Sequence, residues 1–298
     1  MDEKLYYAGL SHVTYDGQPF DLGHGITLRT TYAHLFSTQM MAFERAEQGK
    51  AHPAPWRAAR GGFQFDIEAE IGIPRNLEIP SKQKPEEIIW LIAALLRLIK
   101  YPYLAVPVIS NHAFISAKEI DDPVLTPFEQ DPRILMAPGG QPVAINPEHL
   151  EWVKSVWPKT AMLSKQNKSF GSALRAADGC TLSNPQAPML LTAWGALEEL
   201  FSPSRTELKF RTSANISAYL EPIGPKRLEL FKGIAKLYDV RSKAAHTARS
   251  TDPGDLVSSY IILRNCLVKM IDNGTIPTNS DFEELIFAGS SHEDQSNP

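Results

Sequence analysis

LELFKGIAKLYDVRSKAAHT, residues 228–247, decides how the rest of the chain is read. Phe231, Ile234 and Tyr238 recur at steps of three and four, which predicts an amphipathic helix with one apolar stripe. Carried onward, the stripe reaches Arg241 and then Ala245, so an apolar face runs directly into a guanidinium. His246 follows five residues after Arg241. On a straight helix that step leaves the two positions about 140° apart. Two arrangements can still bring them to one pocket. Either the helix ends near Ala245 and the chain turns back, or the pocket is shared between two copies.

Working outward, the C-terminal half reads as a run of helices. Helical periodicity is predicted over residues 169–177, 188–201, 207–220, 226–245 and 255–271, with a last short helix over 281–287. The stops between them are Ser183-Asn184-Pro185, Ser202-Pro203-Ser204, Glu221-Pro222-Ile223-Gly224-Pro225 and Thr251-Asp252-Pro253-Gly254. Short connections imply neighbouring helices packed antiparallel in a bundle, over residues 166–289. Residues 290–298 contain no apolar side chain and are expected to be a disordered tail.

Residues 1–165 read differently. Short β segments are expected over 4–10, 20–21 and 26–32, with Asp16-Gly17 as a hairpin signal and Gly23 and Gly25 flanking another turn. Over 63–71 apolar and polar residues alternate, predicting a half-buried strand with Gln64, Asp66, Glu68 and Glu70 on its wet face. That period explains the three acids as a solvated face rather than a metal site. Pro85-Glu86-Glu87 opens a helix to residue 100 that is apolar nearly all round and is expected to be buried against the sheet. Another strand is predicted over 104–109, a loop over 121–142, and a helix from Asn146 to about Ser164. The fold class is therefore α+β, with a β-rich first domain around a buried helix, followed by an all-α bundle.

Composition narrows the function classes. The 298 residues carry a net charge of -4, which gives no global signal for nucleic acid. Between Ser202 and Ser250, however, ten basic residues face four acidic ones. That pattern fits either a phosphate-binding face or a solvated helix surface. Cys180 and Cys266 form no CxxC pair and are expected to be buried free thiols, consistent with a cytoplasmic protein. The first residues lack the apolar core of a signal peptide, and the apolar run 88–99 is broken by Arg97 and too short to span a bilayer. Gly139-Gly140 lacks the Lys-Ser/Thr of a phosphate loop, no histidines share ligand spacing, and no Gly-x-Ser-x-Gly occurs. No metal and no cofactor are expected.

The motif Arg241-Ser242-Lys243-Ala244-Ala245-His246 resembles that of the HEPN superfamily, helical bundles bearing an arginine followed at short spacing by a histidine. Its Apea-like branch also has an upstream helix like Trp194-Gly195-Ala196-Leu197-Glu198-Glu199-Leu200-Phe201. A helix with a central arginine follows, here Arg211, and then a segment like Leu237-Tyr238-Asp239-Val240-Arg241. All three occur here in that order, so the resemblance covers roughly residues 169–274. Many members place Asn, Asp or His directly after the arginine, where this chain has Ser242.

The resemblance implies an endoribonuclease. A 2′-hydroxyl can attack its own phosphate without a metal if a group titrating near neutrality moves the proton, which His246 supplies. A permanent cation must meet the developing phosphorane charge, which Arg241 supplies. In HEPN nucleases two protomers contribute such pairs to one cleft, implying a homodimer that binds RNA. Glu198, Arg211 and Ser242 are then expected to support or orient, and Lys236, Lys243 and Arg249 to bind RNA. The family is associated with phage defence and toxin–antitoxin systems, implying an antitoxin or trigger protein as partner and no membrane. The alternative is a non-catalytic HEPN-like dimer that binds nucleic acid or protein. On that reading Arg241 pairs with Glu198 or Asp239 to hold helices together, and His246 is a cation at a helix C-terminus.

Overall fold

The structure, a computed structural model, describes residues 5–129, 141–180, 186–202, 207–246 and 252–287, the side chains of residues 37, 38, 60–63, 186 and 246 excepted. The chain is α+β and divides into two compact units. The first comprises Met1–Leu96, Tyr103–Pro132 and Pro138–Lys154; the second comprises Arg97–Pro102, Arg133–Ala137 and Ser155–Pro298. The expected tail, 290–298, lies outside the described residues. Among the described residues no helix is long and apolar enough to cross a membrane.

The first unit is built on an antiparallel sheet of β1 (Leu5–Ser11), β3 (Phe20–Gly23), β4 (Ile26–Ala42), β5 (Trp56–Pro74), β6 (Val108–Ser110) and β7 (Leu125–Pro127). Their order is β3-β4-β5-β1-β6-β7. A separate parallel pair joins β2 (Val13–Thr14) to β8 (Val143–Ala144). The Asp16-Gly17 turn therefore does not close a hairpin: β2 and β3 on either side of it pair elsewhere. The Gly23–Gly25 turn does, with positive φ at Gly23, His24 and Gly25 and the Gly23 amide held by Asp21 Oδ1 at 2.8 Å. Of the strand expected over 104–109 only its end forms, as β6, with a lone bridge from Ala105 to Ser11.

The alternation over 63–71 does not keep one wet face. Gln64 and Asp66 are exposed, but Glu70 is completely buried. The cause is a bulge at Glu68 against β1: Leu10 pairs with Ala69 and the next residue, Ser11, with Ile67, while on the β4 side the register shifts between Thr30 and Ala33. One unpaired residue resets the two-residue period, so residues after it change face. Ile67 packs with Tyr7, Val108, Ala113 and Phe114, beneath α2 (Phe114–Ala117). Glu70 is delivered to the same place. It accepts hydrogen bonds from Arg29 Nε and, at 2.9 Å, from the Phe114 amide. Before the bulge the outer face carries a small polar cluster, in which His34 Nδ1 lies 2.7 Å and the Tyr32 hydroxyl 3.4 Å from Asp66 Oδ1.

The helix expected over 86–100 forms as α1 (Pro85–Ile99), with Glu86 and Glu87 in its first turn. Residues 88, 89 and 91–98 are buried. Arg97, the charge inside the apolar run, is 3.0 Å from Asp178, both nearly inaccessible. The last carbonyls of α1, Leu98 and Ile99, accept from Arg264, which satisfies a helix end that has no internal partners.

The second unit takes its helices from α3 (Pro147–Gln166) onward: α4 (Lys168–Gly179), α5 (Gln186–Phe201), α6 (Leu208–Leu220), α7 (Pro225–His246), α8 (Pro253–Asn273) and α9 (Asn279–Phe287). α5 is the hub. It packs against α4, α6, α7 and α8, and it buries Trp194 and Phe201 completely. Local signals set the ends: Asn167 accepts from the Phe170 amide to start α4, Asp252 with Pro253 starts α8, and Gly274 with positive φ ends it.

Candidate functional site

The site is built where α5 and α7 run side by side. Trp194 of α5 and Tyr238 of α7 meet edge to face, with ring centroids 5.2 Å apart. Trp194 is fixed in turn by its indole N–H, which donates to Ser259 Oγ of α8 at 3.1 Å. Glu198 lies one turn beyond Trp194, and Arg241 three residues beyond Tyr238, each on the face of its ring. The ring pair thus sets the register that brings carboxylate to guanidinium. Arg241 Nη2 donates to Glu198 Oε2 at 3.0 Å, and the guanidinium sits 5.6 Å from the Tyr238 ring centroid.

The pair is sheltered but not sealed: the side chains of Arg241 and Glu198 are 26% and 18% exposed. It is also one-pronged. Arg241 Nε and Glu198 Oε1 are both buried without a hydrogen-bond partner among the described residues. Burial first, and then the neighbouring Glu198 carboxylate, push the Tyr238 hydroxyl above the ordinary phenol value, with Arg241 pulling the other way. In the sequence Tyr238 stands in the apolar stripe and beside Arg241 in the motif segment, with no role of its own. Its three-residue spacing from Arg241 is the signal that marks it as the floor of the site.

α7 continues as helix through His246, its last residue. The chain therefore does not turn back at Ala245, and the positions of Arg241 and His246 stay about 140° apart around one axis. The His246 side chain and Arg249 lie outside the described residues. Ser242 is half-buried; Lys236 and Lys243 are exposed. Steps of four and seven residues place Lys232, Lys236 and Lys243 in one strip on the side of α7 away from Arg241, and position 246 falls within about 60° of Lys243.

Arg211 is not brought to this pair. It is exposed on α6, 3.9 Å from Glu207, and lines a groove of about 450 Å³ with Phe210, Asn215, Phe282 and Phe287. Other cations of the basic stretch are engaged inside the bundle. Lys209 bridges to Asp239 at 2.7 Å, and Arg227 donates to the Glu221 and Leu285 carbonyls at 2.8 Å each. The lysines of α7 form an exposed positive strip. Among the described residues no cluster of His, Cys, Asp and Glu is placed to hold a metal ion.

Neither family models, nor curated proteins, nor solved structures gave a match to this chain.

Proposed function

We propose that the chain is a HEPN-type endoribonuclease acting as a cytoplasmic homodimer, with Arg241 and His246 as its catalytic groups. The observation that carries the reading is the one-pronged ion pair. An arginine placed to hold two helices together would use its fork on both carboxylate oxygens. Here Arg241 gives one nitrogen to Glu198 at 3.0 Å, and its side chain stays 26% exposed. The exposed part of the guanidinium is where a phosphate oxygen would be met. Glu198 and Tyr238 then act as positioning residues that aim the guanidinium.

On this proposal the 2′-hydroxyl attacks the adjacent phosphorus, the P–O5′ bond breaks, and the products carry a 2′,3′-cyclic phosphate and a 5′-hydroxyl. His246 moves the proton and Arg241 meets the phosphorane charge. Because the two positions diverge around α7, the composite cleft takes Arg241 from one copy and His246 from the other. The lysine strip carries the flanking phosphates. Growth arrest in phage defence or beside an antitoxin is the setting proposed for such an activity.

A second reading has its own support. The Glu198–Arg241 contact already engages the guanidinium, which suits a non-catalytic dimer that binds nucleic acid or protein. The test is to incubate purified protein with mixed RNA in EDTA and compare wild type with Arg241→Ala and His246→Ala. The proposal expects cleavage by wild type alone, with cyclic-phosphate ends. Cleavage that survives both substitutions overturns the site. RNA retained on a filter but cut by no form selects the binding module.

A further inference from the structure

The first unit carries an arm that its own sheet does not use. β3 pairs with β4 only as far as Leu28, and β1 pairs with β5 only from Ile67 onward. Beyond those points β4 and β5 continue together, out to the pair Ala42 and Trp56, laddered to no further strand among the described residues, although Ala33 and Leu35 at the base pack on the core and β2 lies beside β5. Ten residues of strand at about 3.3 Å each make a two-stranded ribbon about 33 Å long. Such a ribbon is marginal in water unless something covers it.

Its tip is nevertheless held in one shape. Trp56 Nε1 donates to the His52 and Pro53 carbonyls at 3.0 Å each, and His52 Nδ1 lies 2.8 Å from the Glu44 carbonyl. On this frame Tyr32, Phe36, Met40, Met41, Phe43 and Trp56 are 49–69% exposed. At ~200 Å² for each aromatic and a little less for each methionine, they present about 700 Å² of apolar surface. Summed over both faces of the ribbon, this is close to the about 800 Å² that each partner gives to a standard protein interface.

We propose that the arm is a self-association device, and that its occupant is the arm of a second copy packed about a two-fold axis. Charge favours a second copy over a polyanion. Over residues 34–66 four basic residues stand against three acidic ones, a near-neutral mixture that offers phosphates no field and can complement itself under two-fold symmetry. The area matches what one protomer contributes to a stable dimer. Both faces of the ribbon carry apolar groups, which a crossing arm covers together.

The test compares sedimentation of the full chain with that of a Phe36→Ser/Met41→Ser/Phe43→Ser variant, with circular dichroism to show that the fold is kept. All three side chains are exposed, so the fold does not depend on them. Wild type is expected to self-associate at micromolar concentrations, and the triple variant to weaken that association by about 100-fold or more. Where the bundle dimer also forms, wild type sediments above a dimer and the variant falls back to one. A spin label at Gln39→Cys, the native cysteines being buried, is expected to report an inter-chain distance. A monomeric wild type, or a variant with unchanged mass, overturns the proposal. Unchanged mass with lost RNA retention assigns the arm to RNA instead. Arg241→Ala and His246→Ala leave the arm untouched, so this inference and the nuclease reading fail separately.

Discussion

Replacing Glu198 by alanine removes the ionic partner that Arg241 has among the described residues and leaves a cation with one side against Tyr238. Breaking a fully buried pair by removing one member costs about 3–5 kcal/mol, and an exposed pair is worth about 0–1 kcal/mol. With the two side chains 26% and 18% exposed, the cost sits between these limits, at about 2–3 kcal/mol for Glu198→Ala. Arg241→Ala is expected to cost about 1–3 kcal/mol, between the same limits. The double variant is expected to lose about 1–2 kcal/mol less than the sum, since each single variant strands one charge and the double variant strands none. Urea unfolding followed by tryptophan fluorescence reads all four corners of the cycle, Trp194 being seated on the site. A coupling below about 0.5 kcal/mol refutes the reasoning, because the pair then does not set the position of the guanidinium. The same cycle read on RNA cleavage separates roles. Glu198→Gln, which keeps the shape and loses the charge, is expected to lower kcat through Arg241 while leaving the pH profile in place.

Three further outcomes follow from other parts of the molecule. Burial lowers the His12 pKa below its usual 6.5 while Asp66 opposes the shift; by NMR titration Asp66→Asn is expected to lower it further. The sign for stability is that this histidine's contribution is complete above pH 6.5 and declines as pH falls through that value toward the lower folded one. Cys180 and Cys266 are buried free thiols, the first pushed up to about 12 by burial; Ellman's reagent is expected to find neither in the folded chain at neutral pH and both after unfolding. Arg97→Met alone is expected to cost about 3–5 kcal/mol because it strands Asp178, whereas Arg97→Met with Asp178→Leu stays within about 1 kcal/mol of wild type, as denaturant midpoints will show.

The helices were legible because each has its own signals. Apolar residues at three- and four-residue steps, Asn167 and Asp252 at N-termini and Gly274 at a C-terminus act within a few residues of where they stand. Arg241 as the end of an apolar stripe was visible for the same reason. What tertiary structure decided was partnership. Periodicity put Glu70 in water, and a bulge at Glu68 in the ladder with β1 buried it against Arg29 and Phe114. The sequence named Glu198 and Arg211 together as supporting residues and had no means of saying which cation Glu198 meets. The Trp194–Tyr238 contact set the register between α5 and α7 and gave it Arg241. Patterns along a chain report which face of an element is apolar, because that depends on near neighbours. Which charge meets which, and where a strand outruns its sheet into an arm, depend on residues far apart in sequence, and only the packed chain brings those together.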